Sequence, residues 1–511
     1  MRMTNKIMRN NSLYNINQNK ILEDRLTNQM TNQSKIARPS DDPVVAIRAL
    51  RLRSNVTSVT QYYDKNAADA DQWLTVTADA LKTVDEVLVK LYEQASSGAN
   101  KDLTADNLEI ILTQMKSLTK EFYASGNVDY AGRFVFSGYR TDMAITFSAE
   151  DIAEMKKHPT SYEINEKFGF ADISTINYTN SDVLLTTKPG DGIVGGQSYE
   201  QEITNTDLYR IRLSYDAVDG APAGFSFTDA DGNDLAGNMQ EFSDPEEAYK
   251  AVSDGTCTGI AYIPSTGELV FSEQYYKDNF EVGDTYNLTY NKSNWIEGDI
   301  NPAHYFVCTE SNTYTDDAGN PYVKKTAYNT TTADQDIYYD VGFNQQIQVN
   351  TLASEVFGYG VRRDMDDFQH CLTQLKDIET KINDIETKMK EFPEDSADYM
   401  NWSKKLEAAK VAQDHIRENV HTKFENQITK YQGYMNDNNI AITNNATRGS
   451  RLELISTRLM GQKATFKDLQ TSNEGIDVTQ VAVELTSSEL TYQAALMATS
   501  KIMQTNLMNY I

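Results

Sequence analysis

The sequence predicts an α+β fold: a long helical, coiled-coil-like rod formed by both chain termini, with a central inserted β-rich domain. The first observation is a seven-residue apolar repeat. One row is Ala49, Val56, Tyr63, Ala70, Thr77, Val84 and Leu91; the other is Leu52, Val59, Asn66, Trp73, Ala80 and Val87. Only Thr77 and Asn66 are polar. A heptad pattern held this long predicts a helix whose seam needs other helices. From Asp41 to Gln94 it spans about 80 Å at ~1.5 Å per residue. The second observation is a cover for that seam at the other end. Met365, Phe368, Leu372, Leu375, Ile378, Ile382, Ile385, Met389 and Phe392 step by three and four. The third is a change of pattern between about residues 146 and 345, where aromatic and β-branched residues alternate.

Taken in order, residues 10–36 read as a polar helix with a narrow apolar stripe. So little of it is apolar that it is not stable alone in water. Arg38-Pro39-Ser40-Asp41-Asp42-Pro43 breaks it. Pro39 disfavours helix before it, Ser40 or Asp41 caps the next helix, and Pro43 suits its first turn. The long helix closes near Gly98, and a second follows over 102–124. Phe134 to Tyr139 reads as a short strand with a glycine turn. In the central part, Tyr209 to Tyr215 alternates with period two. Ala261-Tyr262-Ile263 and Glu268-Leu269-Val270-Phe271 flank a turn and predict a hairpin. Helix resumes near Thr351, breaks at Phe392-Pro393, and runs on in mainly polar form from Asp398 to Gly433. Asn436 to Asn445 is a weak break that one bent helix can contain. Asp477 is placed to cap the last helix. Five segments follow: 1–40, 41–145, 146–345, 346–472 and 473–511.

The net charge is −27, but it is uneven. Residues 1–53 hold ten Lys and Arg against four Asp and Glu, a net of +6, so the rest carry −33. A body this acidic repels a polyanion, so nucleic acid is not an expected partner. No apolar run approaches the ~18 residues of a membrane helix, and no cleavable secretory signal follows Arg2, Lys6 and Arg9. Cys257, Cys308 and Cys371 are far apart and form no C-x-x-C. They read as small core residues, with a Cys257–Cys308 bridge left open.

No catalytic pattern emerges. His158, His304, His370, His415 and His421 form no H-E-x-x-H, and neither a phosphate loop nor G-x-S-x-G is present. Asp229 to Asp234 has the look of a calcium loop, but its glycine is misplaced and the distal Glu is missing, so a hairpin turn is the better reading. Gly195-Gly196 has no following helix to make a nucleotide loop. No cofactor and no metal are expected.

The chemistry this chain offers is at its ends. Ile7, Tyr14, Ile21 and Leu26 form one stripe. Val478, Leu485, Tyr492, Leu496, Met503, Leu507 and Tyr510 form another. Both are narrow and flanked by polar residues, so burial within one chain does not offset ~1–2 kcal/mol of backbone ordering per residue. Such ends order when neighbours supply the partner face. They are the candidate assembly surface.

Several motifs resemble the flagellin-like proteins of the bacterial hook–filament junction. They are the Arg38–Pro43 run, Gln61-Tyr62-Tyr63-Asp64-Lys65-Asn66, and Gly132-Arg133-Phe134-Val135-Phe136-Ser137-Gly138. Glu474-Gly475-Ile476-Asp477-Val478, Ala482-Val483-Glu484-Leu485 and the ending Leu507-Met508-Asn509-Tyr510-Ile511 are similar too. The resemblance covers about residues 1–145 and 350–511 and is weak or absent between them. The polar helix over 398–433 departs from it. The resemblance implies a structural, non-enzymatic role in motility, outside the cell, after unfolded export through the flagellar type III apparatus. As partners it implies the other hook-associated junction protein, flagellin, further copies of the chain in a ring, and a cytoplasmic export chaperone on the C-terminal helix. The alternative within the class is flagellin itself, against which stand P-S-D-D-P and F-V-F-S-G where flagellins carry K-D-D and F-N-G. From other classes, an enzyme displayed on a flagellin-like scaffold needs a reactive constellation within 146–345, and a coiled-coil adhesin or signalling rod needs a parallel helix seam.

Overall fold

The structure, a computed structural model, describes residues 5–101, 103–181, 184, 199–221, 225–229, 232–316, 320–329 and 335–504. Helices α1 (Asn5–Asn32), α2 (Pro43–Thr60), α3 (Ala68–Gly98) and α4 (Ala105–Ala124) come first. The two-residue strands β1 (Asp129–Tyr130) and β2 (Arg133–Phe134) and helix α5 (Ala149–Lys157) follow. Strands β3 (Thr160–Gly169), β4 (Ser174–Asn180), β5 (Thr204–Arg212), β6 (Ser226–Thr228) and β7 (Met239–Glu241) lead to α6 (Pro245–Ser253). Next are β8 (Ile260–Ile263), β9 (Glu268–Phe271), α7 (Glu273–Asn279), β10 (Thr285–Lys292), β11 (Val307–Thr315) and β12 (Pro321–Tyr328). The chain closes with β13 (Tyr338–Gly342), β14 (Gln345–Gln348), α8 (Ala353–Val356), α9 (Gly360–Met389), α10 (Ala397–Glu474) and α11 (Val478–Gln504). The fold is α+β, with long helices from both chain ends and a β-rich middle.

Two compact units are distinguished: residues 1–71, 339–347 and 450–511, and residues 72–338 and 348–449. In the first, the Pro-Ser-Asp-Asp-Pro run works as a helix start, with its roles shifted by one residue. Asp42, not Ser40 or Asp41, caps α2, accepting from the Val44 and Val45 amides at 3.0 and 3.1 Å. Asp41 instead closes the preceding turn by accepting from the amides of Ala37 and Arg38. A π-helical stretch over Gln61–Ala67 follows α2. There Asn66, the polar break in the heptad row, donates to the Asp340 carbonyl of the β13–β14 hairpin at 2.7 Å.

In the second unit the heptad seam is buried. Trp73, Val84, Leu88 and Leu91 of α3 are wholly enclosed. Asn445 and Asn438 of α10 donate to the Leu74 and Leu81 carbonyls at 2.9 and 3.1 Å. As the residue number rises in α10 it falls in α3, so the two helices run antiparallel. The weak break over 436–445 is continuous helix. The Phe134–Tyr139 strand is not formed: β2 stops at Phe134, Val135 and Phe136 enter the core, and Phe136 meets Phe357 edge-on at 5.0 Å. The tight turn between β1 and β2 places Ala131 and Gly132 at φ 52° and 76°, as a two-residue hairpin turn requires.

The β-rich part holds two five-stranded sheets. One has the order β12-β11-β3-β10-β6; the other is β4-β5-β9-β8-β7. The hairpin read from the sequence is β8–β9, with Ile263 opposite Glu268. Helix α6, capped by Asp244, lays Ala248, Tyr249 and Val252 over Ile176, Leu208 and Val270. The period-two pattern of β5 places Arg210 and Arg212 on the polar side, yet Arg210 is 2% exposed. It pairs with Glu268 and with Asp367 of α9, both at 2.5 Å. Arg212 pairs with Asp364 at 2.8 Å and Asp367 at 2.9 Å. Burial alone would raise the Asp367 pKa, but the two guanidiniums hold it well below the usual carboxylate range. Cys257, Cys308 and Cys371 are buried and unpaired, so the Cys257–Cys308 bridge is absent. Asp229 accepts from the Asn233 amide in the turn between Thr228 and Asp234, while residues 230 and 231 of that motif, and Gly195-Gly196, lie outside the described residues.

On α3, Leu88 is buried beside the heptad rows, and its neighbour Val89, about 100° further round the helix, is exposed. Leu88→Ala should destabilise the second unit by ~2–5 kcal/mol. Val89→Ala should stay within ~0.5 kcal/mol. Urea denaturation of both variants checks this; equal losses would mean the seam does not carry the helices.

Candidate assembly surface

The first unit joins the two chain ends. Ser34 and Gly475 form an antiparallel bridge, and the Lys35 amide donates to the Glu474 carbonyl at 2.7 Å. Lys35 Nζ reaches the Ser472 carbonyl at 2.9 Å, and Asn473 donates to the Val45 carbonyl at 3.1 Å. Arg53 clasps the Glu474 carboxylate from two nitrogens, with Nε at 2.9 Å from Oε1. The same pair raises the Arg53 pKa, through the Glu474 hydrogen bond first and its charge second. This joint sets the end of α1 beside the start of α11. The helices pack along each other, antiparallel. Asp477 caps α11 by accepting from the Thr479 and Gln480 amides.

The pairing uses one face of each helix. In α1 that face holds Ile16 and Leu26, both buried. Each is five residues from Ile21, about 140° around a helix of 3.6 residues per turn. Ile7, Tyr14 and Ile21 therefore stand on the other side, 48%, 65% and 62% exposed. Leu26 alone of the four expected N-terminal residues belongs to the covered face. In α11 the covered face holds Val481, Ser488 and Thr499, with Leu485 and Tyr492 half-buried beside them. Two residues on from Val481 is about 200°, the opposite side. There Val483, Leu490 and Met497 repeat every seven residues, each at least 63% exposed.

Of the expected C-terminal residues, Val478 and Leu496 are exposed and lie on neither row's centre. Met503 is within α11 but its side chain, like Leu507 and Tyr510, lies outside the described residues. The Val483–Leu490–Met497 row is the part that sequence reading missed. Its signal was present as an unbroken heptad, but the bulkier neighbouring row of Leu485 and Tyr492 drew the assignment. Helix α2 adds Val44, Ile47 and Leu50 to the exposed apolar side chains of this unit. Among the described residues, no group of three His, Cys, Asp or Glu is placed to hold a metal, and no helix is long and apolar enough to cross a membrane. The arrangement offers hydrophobic adhesion along helix faces.

Residues 3–141 match the family of the bacterial flagellin N-terminal helical region. Within that class, the chain is similar to flagellar hook-associated protein 3 of Salmonella typhimurium, at 24% identity over 145 residues. The aligned part is 28% of this chain and 45% of that protein. Flagellar hook-associated protein 3 of Escherichia coli K12 is 28% identical over 123 residues, 24% of this chain and 38% of that protein. The chain thus aligns with less than half the length of either relative. Among solved structures, FlgL of Xanthomonas campestris is 12% identical over 81% of this chain and 98% of its own, at a TM-score of 0.27.

Leu26→Asp should unpair α1 from α11, because an unpartnered buried carboxylate costs several kcal/mol. Tyr14→Asp, on the bare face, should leave the pair intact. Amide exchange over residues 5–32 and 478–504 distinguishes them: fast in the first variant, unchanged in the second.

Proposed function

We propose that this chain is a structural subunit of the bacterial flagellum at the hook–filament junction. The observation that supports this most is the pair of bare heptad rows, Ile7–Tyr14–Ile21 and Val483–Leu490–Met497, on terminal helices already paired with each other. Fully covering a side chain of this size is worth roughly 1.5–3 kcal/mol. A free subunit forgoes that; a neighbouring subunit recovers it. Heterologous contacts between identical copies close into a ring when the rotation permits. The relatives' names place them as hook-associated proteins, and that role is carried over here as the reading. Its partners are further copies, the other hook-associated junction protein on one side and flagellin on the other. A cytoplasmic chaperone covering α11 before unfolded export keeps the same rows from aggregating. The chemistry required is adhesive, with no reaction catalysed.

The test is complementation of a strain lacking this protein. Ile21→Glu combined with Leu490→Glu should abolish filament attachment and motility while the purified monomer keeps its helix content. Full motility in that variant overturns the proposal. Immunogold labelling of the wild-type chain should mark the base of the filament as a single band. Labelling along the whole filament would make it a filament subunit instead.

A further inference from the structure

The bare row Val483–Leu490–Met497 on α11 is edged by negative charge. Glu484 follows Val483 and Glu489 precedes Leu490, so each stands about 100° to one side of the row. Both are exposed. Glu484 accepts from Gln480 of its own helix at 2.9 Å, and Glu489 has no ion-pair partner among the described residues. Helix α2 carries the opposite arrangement. Its exposed apolar residues are Val44, Ile47 and Leu50. Arg48 follows Ile47 and Arg51 follows Leu50, both exposed. Over Pro43–Thr60 there are three arginines and no acid. Arg53 is taken by Glu474, while Arg48 and Arg51 have no ion-pair partner among the described residues. Solvated arginines are ordinary by themselves. Here two of them edge an apolar patch that nothing covers. Both faces are exposed, so they do not meet within one chain.

We propose that the α2 face of one copy docks on the α11 row of a second copy, with Arg48 and Arg51 against Glu484 and Glu489. Charge selects this pairing over the other one available. The Ile7–Tyr14–Ile21 row of α1 has Lys6 before Ile7 and Lys20 before Ile21, and α1 holds four Lys and Arg against two Asp and Glu. It repels the α2 face. Helix α11 has the two glutamates beside its row, and its single cation, Lys501, lies near the far end. Apolar rows edged by opposite charges are how coiled-coil helices choose partner and orientation. The apolar side chains supply the adhesion, and the charges steer the approach and reject the wrong face. The two faces differ, so the contact is head-to-tail and repeats from copy to copy. This names the partner of the assembly surface and rests on the function proposed above.

Cross-linking of the purified full-length chain tests it. Cys257, Cys308 and Cys371 are buried, so a cysteine placed on the surface is joined selectively. Chains carrying Leu50→Cys are mixed with chains carrying Leu490→Cys and treated with a short bismaleimide. Each variant alone should link poorly, and the mixture well. A mixture that links no better than either variant alone overturns the proposal. Arg48→Glu with Arg51→Glu on the Leu50→Cys chain should cut mixed linking by about tenfold, because two attractions become repulsions. Glu484→Arg with Glu489→Arg on the Leu490→Cys chain should then restore it. Loss without restoration means that α2 meets some other acidic surface, and overturns the proposal. Should the arginine variant not fold, the glutamate variant against an otherwise unaltered Leu50→Cys chain should show the same loss, and undiminished linking there overturns the proposal alone. No flagellum is present in this experiment. If linking fails while the motility and labelling results above hold, the junction role stands and only this contact falls.

Discussion

Three asparagines of α10 fix the register of that helix, two against α3 in the second unit and one against α2 in the first. Asn438, Asn445 and Asn473 are separated by multiples of seven, and each donates its amide to a main-chain carbonyl, of Leu81, Leu74 and Val45 respectively. Apolar seams alone are tolerant of slippage, because one heptad looks much like the next. A buried amide is not tolerant. A shift of register would leave it without an acceptor, at about 1–3 kcal/mol per group. Asn438 and Asn445 are fully or nearly fully buried, so the penalty applies in full. Polar residues within an apolar seam commonly specify register in this way, at some loss of stability.

That constraint also explains what could be read beforehand. Nine of the thirteen heptad-row positions are buried, while Leu52, Val56, Tyr63 and Asn66 are half-buried. Ala49, Val59, Ala70, Trp73, Val84 and Leu91 are all enclosed. Thr77 fits among them by turning its hydroxyl onto the Trp73 carbonyl of its own helix at 2.9 Å. Arg210 and Arg212 were illegible for a different reason. Periodicity assigns a side chain to a face, but only tertiary structure says whether that face meets solvent or a second layer. Here α9 covers it and brings Asp364 and Asp367, which form one ion cluster with the two arginines. Removing a single partner from such a cluster is strongly destabilising, whereas exchanging the whole set for apolar residues need not be.

The assembly surface was half legible. Ile7, Tyr14 and Ile21 stood out because α1 has little else that is apolar, so a seven-residue spacing is conspicuous. On α11 apolar residues occur on every side. Two rows two residues apart there differ only in what covers them. The row with Leu485 and Tyr492 shares the face of Val481 and Ser488, which lies against α1. The smaller-looking row, Val483, Leu490 and Met497, is left bare. Residue size was a poor guide, since the covered seam includes Ser488 and Thr499 while the bare one does not.

This distribution sets the order of strengths among the contacts. A seam in which Ser488 is buried without a hydrogen-bond partner for its hydroxyl, and Thr499 bonds only its own helix, gives α1 and α11 a modest hold on each other. The joint at Ser34–Gly475 and the Arg53–Glu474 clasp add to it from one end only. Six further apolar side chains, Ile7, Tyr14, Ile21, Val483, Leu490 and Met497, stand exposed on the outer faces. Covering these six more fully would add up to roughly 1.5–3 kcal/mol each to what the internal seam supplies. A stronger internal seam would require Leu490 or Met497 to turn inward, and the rotation of about 200° that does so would expose Val481 and empty the face offered to a neighbour.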